Sequence, residues 1–281
     1  MSFKLYDDPD SLPDLPVESG IDGSGVGFWV PESKHTFLAK YIEGSRQARK
    51  KFKQRVYVDL FCGPGRIQVK GESRSRPGGA LVAWQHSRLD RADFTRCLVA
   101  DIDGSRSLAC AQRLGELGAP VRGFIGPAEI TVDEVLSAIP KTALCLAYLD
   151  PYNLEFLSFE VIKKLARLKF IDFAVHFSTM DLRRNVLMEF NPERARFDGA
   201  APGWRDYIDQ EAFVRGNADD VFFDYWCQLV SSLGFVISRR MPLVRDAGNR
   251  PLYHLVFFSR HPFPNHIWGE VAQGPNREFN F

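Results

Sequence analysis

The stretch VYVDLFCGPG at positions 56–65 decides the fold that the sequence predicts. Positions 56–61 are a short apolar, β-branched and aromatic run around one acid, which is typical of a buried strand. Asp59 lies in the end of this strand, and the turn Gly63-Pro64-Gly65 follows it. Glycines let a ligand approach the backbone because they carry no side chain, and a buried acid needs a polar partner. The stretch therefore predicts a strand that ends in a ligand-binding turn.

The chain after this turn alternates between strand and helix patterns. Strands are predicted at 96–102, 121–125, 142–149 and 171–177, and helices at 80–86, 105–115, 132–139 and 159–168. Strands that are apolar on both faces and separated by helices form a parallel sheet covered on both sides. A helix over 221–233 and a hairpin of 235–239 with 253–259 add an antiparallel pair. The predicted fold is α/β, a Rossmann-like doubly wound sheet that is mostly parallel with an antiparallel closing strand.

The sequence predicts one domain preceded by an arm. Residues 1–30 contain six acids and the glycine-rich run 20–27, and they predict an irregular N-terminal arm. Residues 31–281 predict a single domain with a basic helix over 34–55. Residues 181–217 are polar and irregular, with arginines interleaved among aromatic residues, and they predict a lid region inserted into this domain.

Positive charge is concentrated in one segment of the chain. The net charge is only +1, but residues 34–76 contain twelve Lys or Arg and three acids. A basic face favours a polyanionic partner, because binding releases the counterions of that partner. The residues predicted to contact nucleic acid are Arg49, Lys50, Lys53, Arg74 and Arg76. A solvated helix face over 47–55 explains the same charges without a partner, and both interpretations stay open.

Composition and the cysteine pattern narrow the class of protein. No stretch approaches the roughly 20 apolar residues that span a bilayer, and the N-terminus lacks the basic start and apolar core of a signal peptide. The five cysteines are scattered and never form a CxxC pair, so we interpret them as reduced core residues. The six histidines are dispersed, without the spacing of metal ligands. The sequence predicts a cytoplasmic protein with no membrane partner and no metal.

The turn at 63–65 fits one class of nucleotide ligand better than two others. A dinucleotide fingerprint requires a third glycine three residues after the second, and position 68 is glutamine. The GxxxxGK[ST] pattern of a P-loop is also absent. A ligand with a carboxylate, an ammonium and a ribose but no phosphate suits the turn better, and Asp101 at the end of the next strand can accept from both ribose hydroxyls. The alternative is that the glycines only shape a tight turn.

A further acidic strand end lies at Asp150-Pro151-Tyr152. In an open α/β sheet, ligands bind beyond the carboxyl ends of the strands, where the strand order reverses. If this segment and the glycine turn border one cleft, Asp150 can accept hydrogen bonds from an exocyclic amine, and Tyr152 can stack on a base taken out of its duplex or loop. The alternative is a strand-terminating turn with a packed tyrosine.

These motifs resemble those of known methyltransferases. The glycine turn resembles motif I of class I S-adenosylmethionine-dependent methyltransferases, and Asp150-Pro151-Tyr152 resembles motif IV of enzymes that methylate amino groups of nucleic acids. From about Trp29 onward the chain resembles the bacterial three-Cys-motif partner protein family, at Trp29, Lys34, Tyr41, 59–65, Pro77-Gly78-Gly79, Asp150-Pro151-Tyr152 and 253–258. The resemblance implies a seven-stranded sheet with an antiparallel last strand and S-adenosylmethionine as cofactor. By association only, it implies a radical-SAM-like three-Cys-motif protein as a partner.

The motifs and the resemblance together define a predicted site. The cofactor contacts are Asp59, Phe61, Gly63, Gly65, Asp101 and Glu129, and the catalytic residues are Asp150 and Tyr152. The sequence departs from the usual pattern at two places. The third strand ends in Gly126-Pro127-Ala128-Glu129 where a Gly-Asp turn is usual, so Glu129 is a weak substitute. The fourth motif has one proline where amino-methylating enzymes commonly have two.

The predicted function is methyl transfer from S-adenosylmethionine to an amino group of nucleic acid, RNA or DNA. The two departures motivate an alternative, in which the chain is a non-catalytic partner protein that keeps the fold as a docking platform and binds S-adenosylmethionine, a three-Cys-motif protein, or both. A nucleotide-dependent oxidoreductase is a weaker third hypothesis, because the third glycine is missing.

Overall fold

The central sheet is mostly parallel, and its strand order differs from the chain order. The structure is a computed structural model that describes residues 3–20, 22–191, 193–208 and 218–272. Its strands are β1 (Arg55–Asp59), β2 (Arg66–Gln68), β3 (Ser75–Pro77), β4 (Arg96–Asp101), β5 (Val121–Ile125), β6 (Leu144–Leu149), β7 (Phe170–Phe177), β8 (Val236–Ile237), β9 (Leu243–Arg245) and β10 (Pro251–Ser259). The order across the sheet is β5-β4-β1-β6-β7-β10-β8, and β9 also pairs with β10.

This topology confirms the predicted α/β fold, but the sheet has eight strands among the described residues, where the resemblance implied seven, because β9 pairs with β10 beside the main strand order. Strands β5, β4, β1, β6 and β7 are mutually parallel, whereas β10 is antiparallel to β7. The chain runs from β1 to β4 and β5 on one side, and then crosses to β6 and β7 on the other. The point where the order reverses therefore lies beside β1, and the predicted antiparallel strand closes the sheet. The short strands β2 and β3 form a separate hairpin.

Helices cover both faces of this sheet. In chain order they are a π-helical turn (Val30–His35), α1 (Thr36–Gly44), α2 (Arg46–Arg49), α3 (Gly79–Ser87), α4 (Gly104–Glu116), α5 (Ala128–Ser137), α6 (Phe159–Leu165), α7 (Thr179–Asn185), α8 (Trp204–Tyr207), α9 (Ala218–Ser232) and α10 (Pro262–Val271). Residues of α5, α6 and α9 pack on one face, and residues of α1, α3, α4 and α10 pack on the other. Successive strand residues alternate between faces, so Val58 and Tyr57 enter different cores. This is why the strands read as apolar throughout.

The predicted basic helix over 34–55 is interrupted. Its first residues belong to the π-helical turn, α1 ends at Gly44, and β1 already begins at Arg55. Arg49 is only 3% exposed, and its guanidinium donates to the backbone carbonyls of Ile42 and Ala92. This side chain therefore fastens the end of α1 inside the protein, and its burial does not support the predicted contact with nucleic acid.

The predicted lid region over 181–217 is packed against the core as far as the structure describes it. Phe197 and Trp204 are fully buried, and their rings contact Phe222 of α9 at centroid distances of 5.8 and 5.4 Å. Arg205 donates to the backbone carbonyl of Glu189 at 2.8 Å. Residues 209–217 lie outside the described residues. The described part is a packed layer on one side of the sheet.

The N-terminal arm is anchored by a buried arginine. Arg113 of α4 is buried, and its guanidinium binds both carboxylate oxygens of Asp10. It also donates to the carbonyls of Leu12, Leu15 and Pro16. The same side chain donates to the carbonyl of Pro64 in the glycine turn at 2.8 Å. One guanidinium thus joins the arm to the turn.

Among the described residues, no helix combines the length and apolar character that a bilayer crossing requires.

Replacement of the anchor, Arg113→Met, is expected to release the arm. The substitution leaves buried carbonyls and the Asp10 carboxylate without their donor, which costs about 3–5 kcal/mol of unfolding free energy in comparable networks. Limited proteolysis should then cut within residues 3–27 while the rest of the domain stays intact. Arg88→Met, at an exposed arginine, is the control. An Arg113→Met protein with unchanged melting temperature and an uncut arm would contradict the anchoring role.

Candidate functional site

One cavity of about 1200 Å³ opens at the carboxyl ends of β1, β4 and β6. Its wall contains every residue predicted as a cofactor contact or as a catalytic residue: Asp59, Phe61, Gly63, Gly65, Asp101, Glu129, Asp150 and Tyr152. The glycine turn and the Asp150-Pro151-Tyr152 segment therefore border the same space. Parallel pairing explains this, since β1 pairs with β6 in register and Asp59 lies opposite Tyr148.

The two glycines of the turn are needed for different reasons. Both have positive φ, +56° at Gly63 and +83° at Gly65, where other residues are strained. A Cβ atom on Gly65 would lie 2.9 Å from Leu81 Cδ1 and 3.1 Å from Cys110 Cα, so this glycine lets the turn pack on α3 and α4. A Cβ atom on Gly63 would approach only the Arg106 guanidinium, at 3.4 Å. Gly63 thus leaves room on the cavity side of the turn.

Asp59 is a buried acid inside the cavity wall. Its carboxylate accepts from the backbone N–H of Phe61 and from the Tyr57 hydroxyl, both at 3.0 Å. Burial raises the pKa of Asp59 to about 7, and these two hydrogen bonds offset the effect only in part. The carboxyl group therefore gains or loses its proton near neutral pH. A cationic ligand nearby would favour its ionised form.

Asp101 ties the second strand to the glycine turn. One carboxylate oxygen accepts from the backbone N–H of Gly63 at 3.0 Å, and the other accepts from the N–H of Asp103 at 3.0 Å. The next residue, Ile102, is 68% exposed although it lines the cavity. Ile102 was not among the predicted site residues. The pattern that could have indicated it is an apolar residue directly after an acidic strand end.

The arm supplies part of the cavity wall. Glu18 pairs with the backbone of β2 as an isolated bridge, and its carboxylate forms an ion pair with Arg106 of α4. The Arg106 guanidinium also lies 3.7 Å from the Asp101 carboxylate. Gly20, Val26 and Gly27 of the arm line the same space. The arm was predicted as an irregular segment, and its part in the site was not predicted.

Asp150 is held in a buried charge network. Lys34 Nζ contacts its two carboxylate oxygens at 2.8 and 2.6 Å. His176 Nδ1 lies 2.9 Å from Oδ1, and the Tyr148 hydroxyl donates to Oδ2 at 3.2 Å. Burial by itself would raise the pKa of Asp150, but the Lys34 ammonium and His176 outweigh it and hold the pKa well below its usual range. Asp150 is therefore an ionised carboxylate.

This network changes the interpretation of Asp150. A carboxylate offers about four acceptor positions, and here protein donors make four contacts with its two oxygens. An exocyclic amine could reach Asp150 only by displacing one of them. Lys34, one of the twelve cations of the basic segment 34–76, is buried in this network.

Tyr152 has the accessibility that its predicted role requires. It is 64% exposed at the cavity, and Phe156, four residues later in the chain, is also exposed and lines the same space. Partial burial raises the pKa of Tyr152, so the hydroxyl is neutral at physiological pH. Two aromatic rings at the mouth can receive a planar group.

The predicted nucleic-acid contacts other than Arg49 fall into two groups. Lys50 forms an ion pair with Asp90 at 2.6 Å, and Arg76 binds the carboxylate of Glu72. Lys53 and Arg74 are exposed, and no ion pair is found for either within the described part of the chain. Among those described residues there is also no group of three His, Cys, Asp or Glu side chains arranged to hold a metal ion.

Comparisons with known proteins yield structural likeness only. No family model matches the chain, and no curated protein matches it. An O-methyltransferase of Bacillus cereus, solved with S-adenosylhomocysteine, is similar at a TM-score of 0.47 and 7% identity over 89% of this chain and 86% of that one. A Legionella pneumophila protein has a TM-score of 0.48 and 10% identity over 85% and 90% of the two chains. Geranyl diphosphate methyltransferase, solved with S-adenosylmethionine, has a TM-score of 0.43 and 12% identity over 82% and 85%.

Likeness at these levels does not decide a function. The fold assignment rests on the strand order itself, and the resemblance to the three-Cys-motif partner family stays a prediction.

The raised pKa of Asp59 predicts a pH-dependent stability. Between pH 3.8 and about 7 the folded protein keeps this proton while the unfolded chain has lost it, so the free energy of unfolding falls as pH rises through that window. From pH 5 to 8 the loss is about 2–3 kcal/mol, at 1.36 kcal/mol per pH unit. Asp59→Asn should remove this part of the pH dependence in urea unfolding. Asp7→Asn, at an exposed arm carboxyl, is the control, and equal pH slopes for wild type and Asp59→Asn would refute the raised pKa.

Proposed function

We propose that the chain is an S-adenosylmethionine-dependent methyltransferase. The observation that carries the proposal is the single cavity, in which the glycine turn, Asp101 and exposed Ile102 share one space with Asp150 and Tyr152. It lies where the strand order reverses, which is where open α/β sheets bind ligands. Its volume of about 1200 Å³ exceeds the 300–1,000 Å³ of common ligand pockets, so it has room for a nucleoside and an acceptor together.

The residues present fit the parts of this cofactor. Gly63 leaves space for a ligand beside the backbone of the turn. Asp101 offers carboxylate oxygens suited to ribose hydroxyls, and Ile102 offers an exposed apolar surface suited to an adenine ring. Asp59 supplies a carboxylate whose ionised form a nearby ammonium or sulfonium would favour. When bound, S-adenosylmethionine supplies an activated methyl group, and this chain's residues orient it and exclude water.

The observations bear in both directions on the predicted acceptor, an amino group of nucleic acid. Exposed Lys53 and Arg74, and Tyr152 at the cavity mouth, favour a nucleic-acid ligand. The paired charges of Lys50 and Arg76 do not add to it. The occupied oxygens of Asp150 argue against an amine bound in the predicted way.

The non-catalytic alternative differs from the transferase in one measurable respect. A docking platform for a three-Cys-motif protein, with or without bound cofactor, would transfer no methyl group. Radiolabel transfer from S-adenosylmethionine therefore separates the two proposals once cofactor binding is established.

Calorimetric titration with S-adenosylhomocysteine tests the proposal. Ile102→Asp should weaken binding by more than tenfold, because it places a charge where the adenine ring would lie, while a side chain 68% exposed contributes little to folding. Ile130→Asp is the matched control, since Ile130 is 64% exposed outside the cavity wall, and its affinity should stay within twofold of wild type. Absence of binding at millimolar ligand would remove the proposal.

A further inference from the structure

Within the described part of the chain, two buried histidines each face a carboxylate. His176 Nδ1 lies 2.9 Å from Asp150 Oδ1, and His86 Nδ1 lies 2.7 Å from Glu43 Oε1. In both pairs the second ring nitrogen, Nε2, is buried and has no hydrogen-bond partner among the described residues. Only His176 belongs to the cavity wall. The same arrangement therefore occurs once at the candidate site and once away from it.

The network fixes the proton on one nitrogen of His176. An ionised carboxylate only accepts hydrogen bonds, so Nδ1 must donate to Asp150. Burial lowers the pKa of His176 more than Asp150 raises it, and the ring is neutral at pH 7. A neutral ring with its proton on Nδ1 carries an unshared electron pair on Nε2. That nitrogen is the basic atom of the pair.

Four groups face the His176 ring: Asp150 and the backbone carbonyl of Pro151 after β6, Lys34 from the π-helical turn, and Tyr253 from β10, whose ring centroid lies 4.1 Å from that of His176. Burial and the Lys34 ammonium lower the pKa of His176 and outweigh Asp150 and Pro151, which raise it. The Tyr253 hydroxyl is also buried without a partner and lines the cavity. A buried polar atom without a partner costs about 1–3 kcal/mol. Two such atoms at one end of the cavity indicate that a ligand group completes them.

We propose that His176 is the general base of the methyl transfer and that the acceptor is a hydroxyl group. This inference rests on the proposed function. The acceptor O–H gives its proton to His176 Nε2 while the oxygen forms a bond to the methyl carbon. The methyl–sulfur bond breaks, its electron pair stays on sulfur to give neutral S-adenosylhomocysteine, and the proton then leaves His176 to water.

The site suits a hydroxyl better than an aromatic amine. A hydroxyl is a weak nucleophile until a base removes its proton, and Nε2 supplies that base. An exocyclic amine needs acceptors for its two N–H groups, and the oxygens of Asp150 are taken by protein donors. His176 is 8% exposed, and Nε2 is buried without a donor, so the acceptor hydroxyl must come within hydrogen-bond distance of Nε2 in the complex.

Asp150 and Lys34 act on the reaction through His176. Asp150 orients the ring and fixes its tautomer, and Lys34 keeps Asp150 ionised. Both are positioning residues. This assignment replaces the direct contact with the acceptor that the sequence predicted for Asp150.

His176→Gln tests the base, with His86→Gln as the matched control from the second pair. Full-length protein is incubated with methyl-labelled S-adenosylmethionine and an extract of the source organism that contains both RNA and small molecules. His176→Gln should lower the transfer rate by about 10²–10⁴-fold, the usual contribution of a general base, with S-adenosylhomocysteine affinity within threefold of wild type. His86→Gln should retain the wild-type transfer rate and the wild-type affinity for S-adenosylhomocysteine. A His176→Gln protein that binds S-adenosylhomocysteine normally and transfers at the wild-type rate would overturn the base.

The chemical linkage of the product tests the acceptor. Mild alkali first removes methyl esters, and hot hydriodic acid then releases O-methyl groups as methyl iodide while N-methyl groups stay in place. Label released only by hydriodic acid supports the hydroxyl. Label that stays on nitrogen, or that alkali removes, overturns it. Normal S-adenosylhomocysteine binding with no transfer to any fraction also overturns it, whereas a failure to bind would remove the proposed function itself.

Nitrogen-15 NMR of the histidine rings gives a readout that does not depend on turnover. The His176 ring should be neutral at pH 7 with its proton on Nδ1, and it should become charged only below its ordinary pKa of 6.5. Asp150→Asn should abolish the preference for that tautomer. In transfer assays the acidic limb of kcat/KM should follow the same titration. A proton on Nε2, or a charged ring at pH 7, would contradict the assignment.

Discussion

The parallel pairing of β1 with both β4 and β6 is the constraint on which the site depends. It brings the carboxyl ends of three strands, which are distant in the chain, to one edge of the sheet. The reversal of strand order beside β1 leaves a crevice there. Gly65 lets the first turn pack on α3 and α4, and Arg113 fixes both this turn and the arm. The cavity is therefore a consequence of the topology.

Similar carboxylates have opposite environments within this cavity. Asp59 has only neutral donors, and burial raises its pKa, whereas Asp150 faces Lys34 and His176 and keeps its charge. Opposed environments of this kind commonly assign different roles to like residues. Asp59 can bind the cationic end of a cofactor, whereas Asp150 can orient a base through a hydrogen bond. This division places the two halves of the proposed reaction at different strand ends.

The sequence predicts the sheet because each strand is apolar on both faces and each is followed by a helix. It also predicts the acidic strand ends and the glycine turn, since these follow from local patterns. It could not predict the partners of Asp150, because Lys34 and His176 reach it through tertiary packing. The same limit applies to Arg49, which reads as one more basic surface residue but is buried against backbone carbonyls. A charge count along the chain does not show which cations are already neutralised.

A crystal structure with S-adenosylhomocysteine bound tests the central claim most directly, because that claim is one cavity shared by cofactor and acceptor. The account predicts the nucleoside between Gly63, Asp101 and Ile102, with the sulfur directed toward the end of the cavity that His176 and Tyr253 line. The space beside Tyr152 should stay open for the acceptor. A ligand bound elsewhere, or bound so that it fills the space in front of His176, would contradict the account.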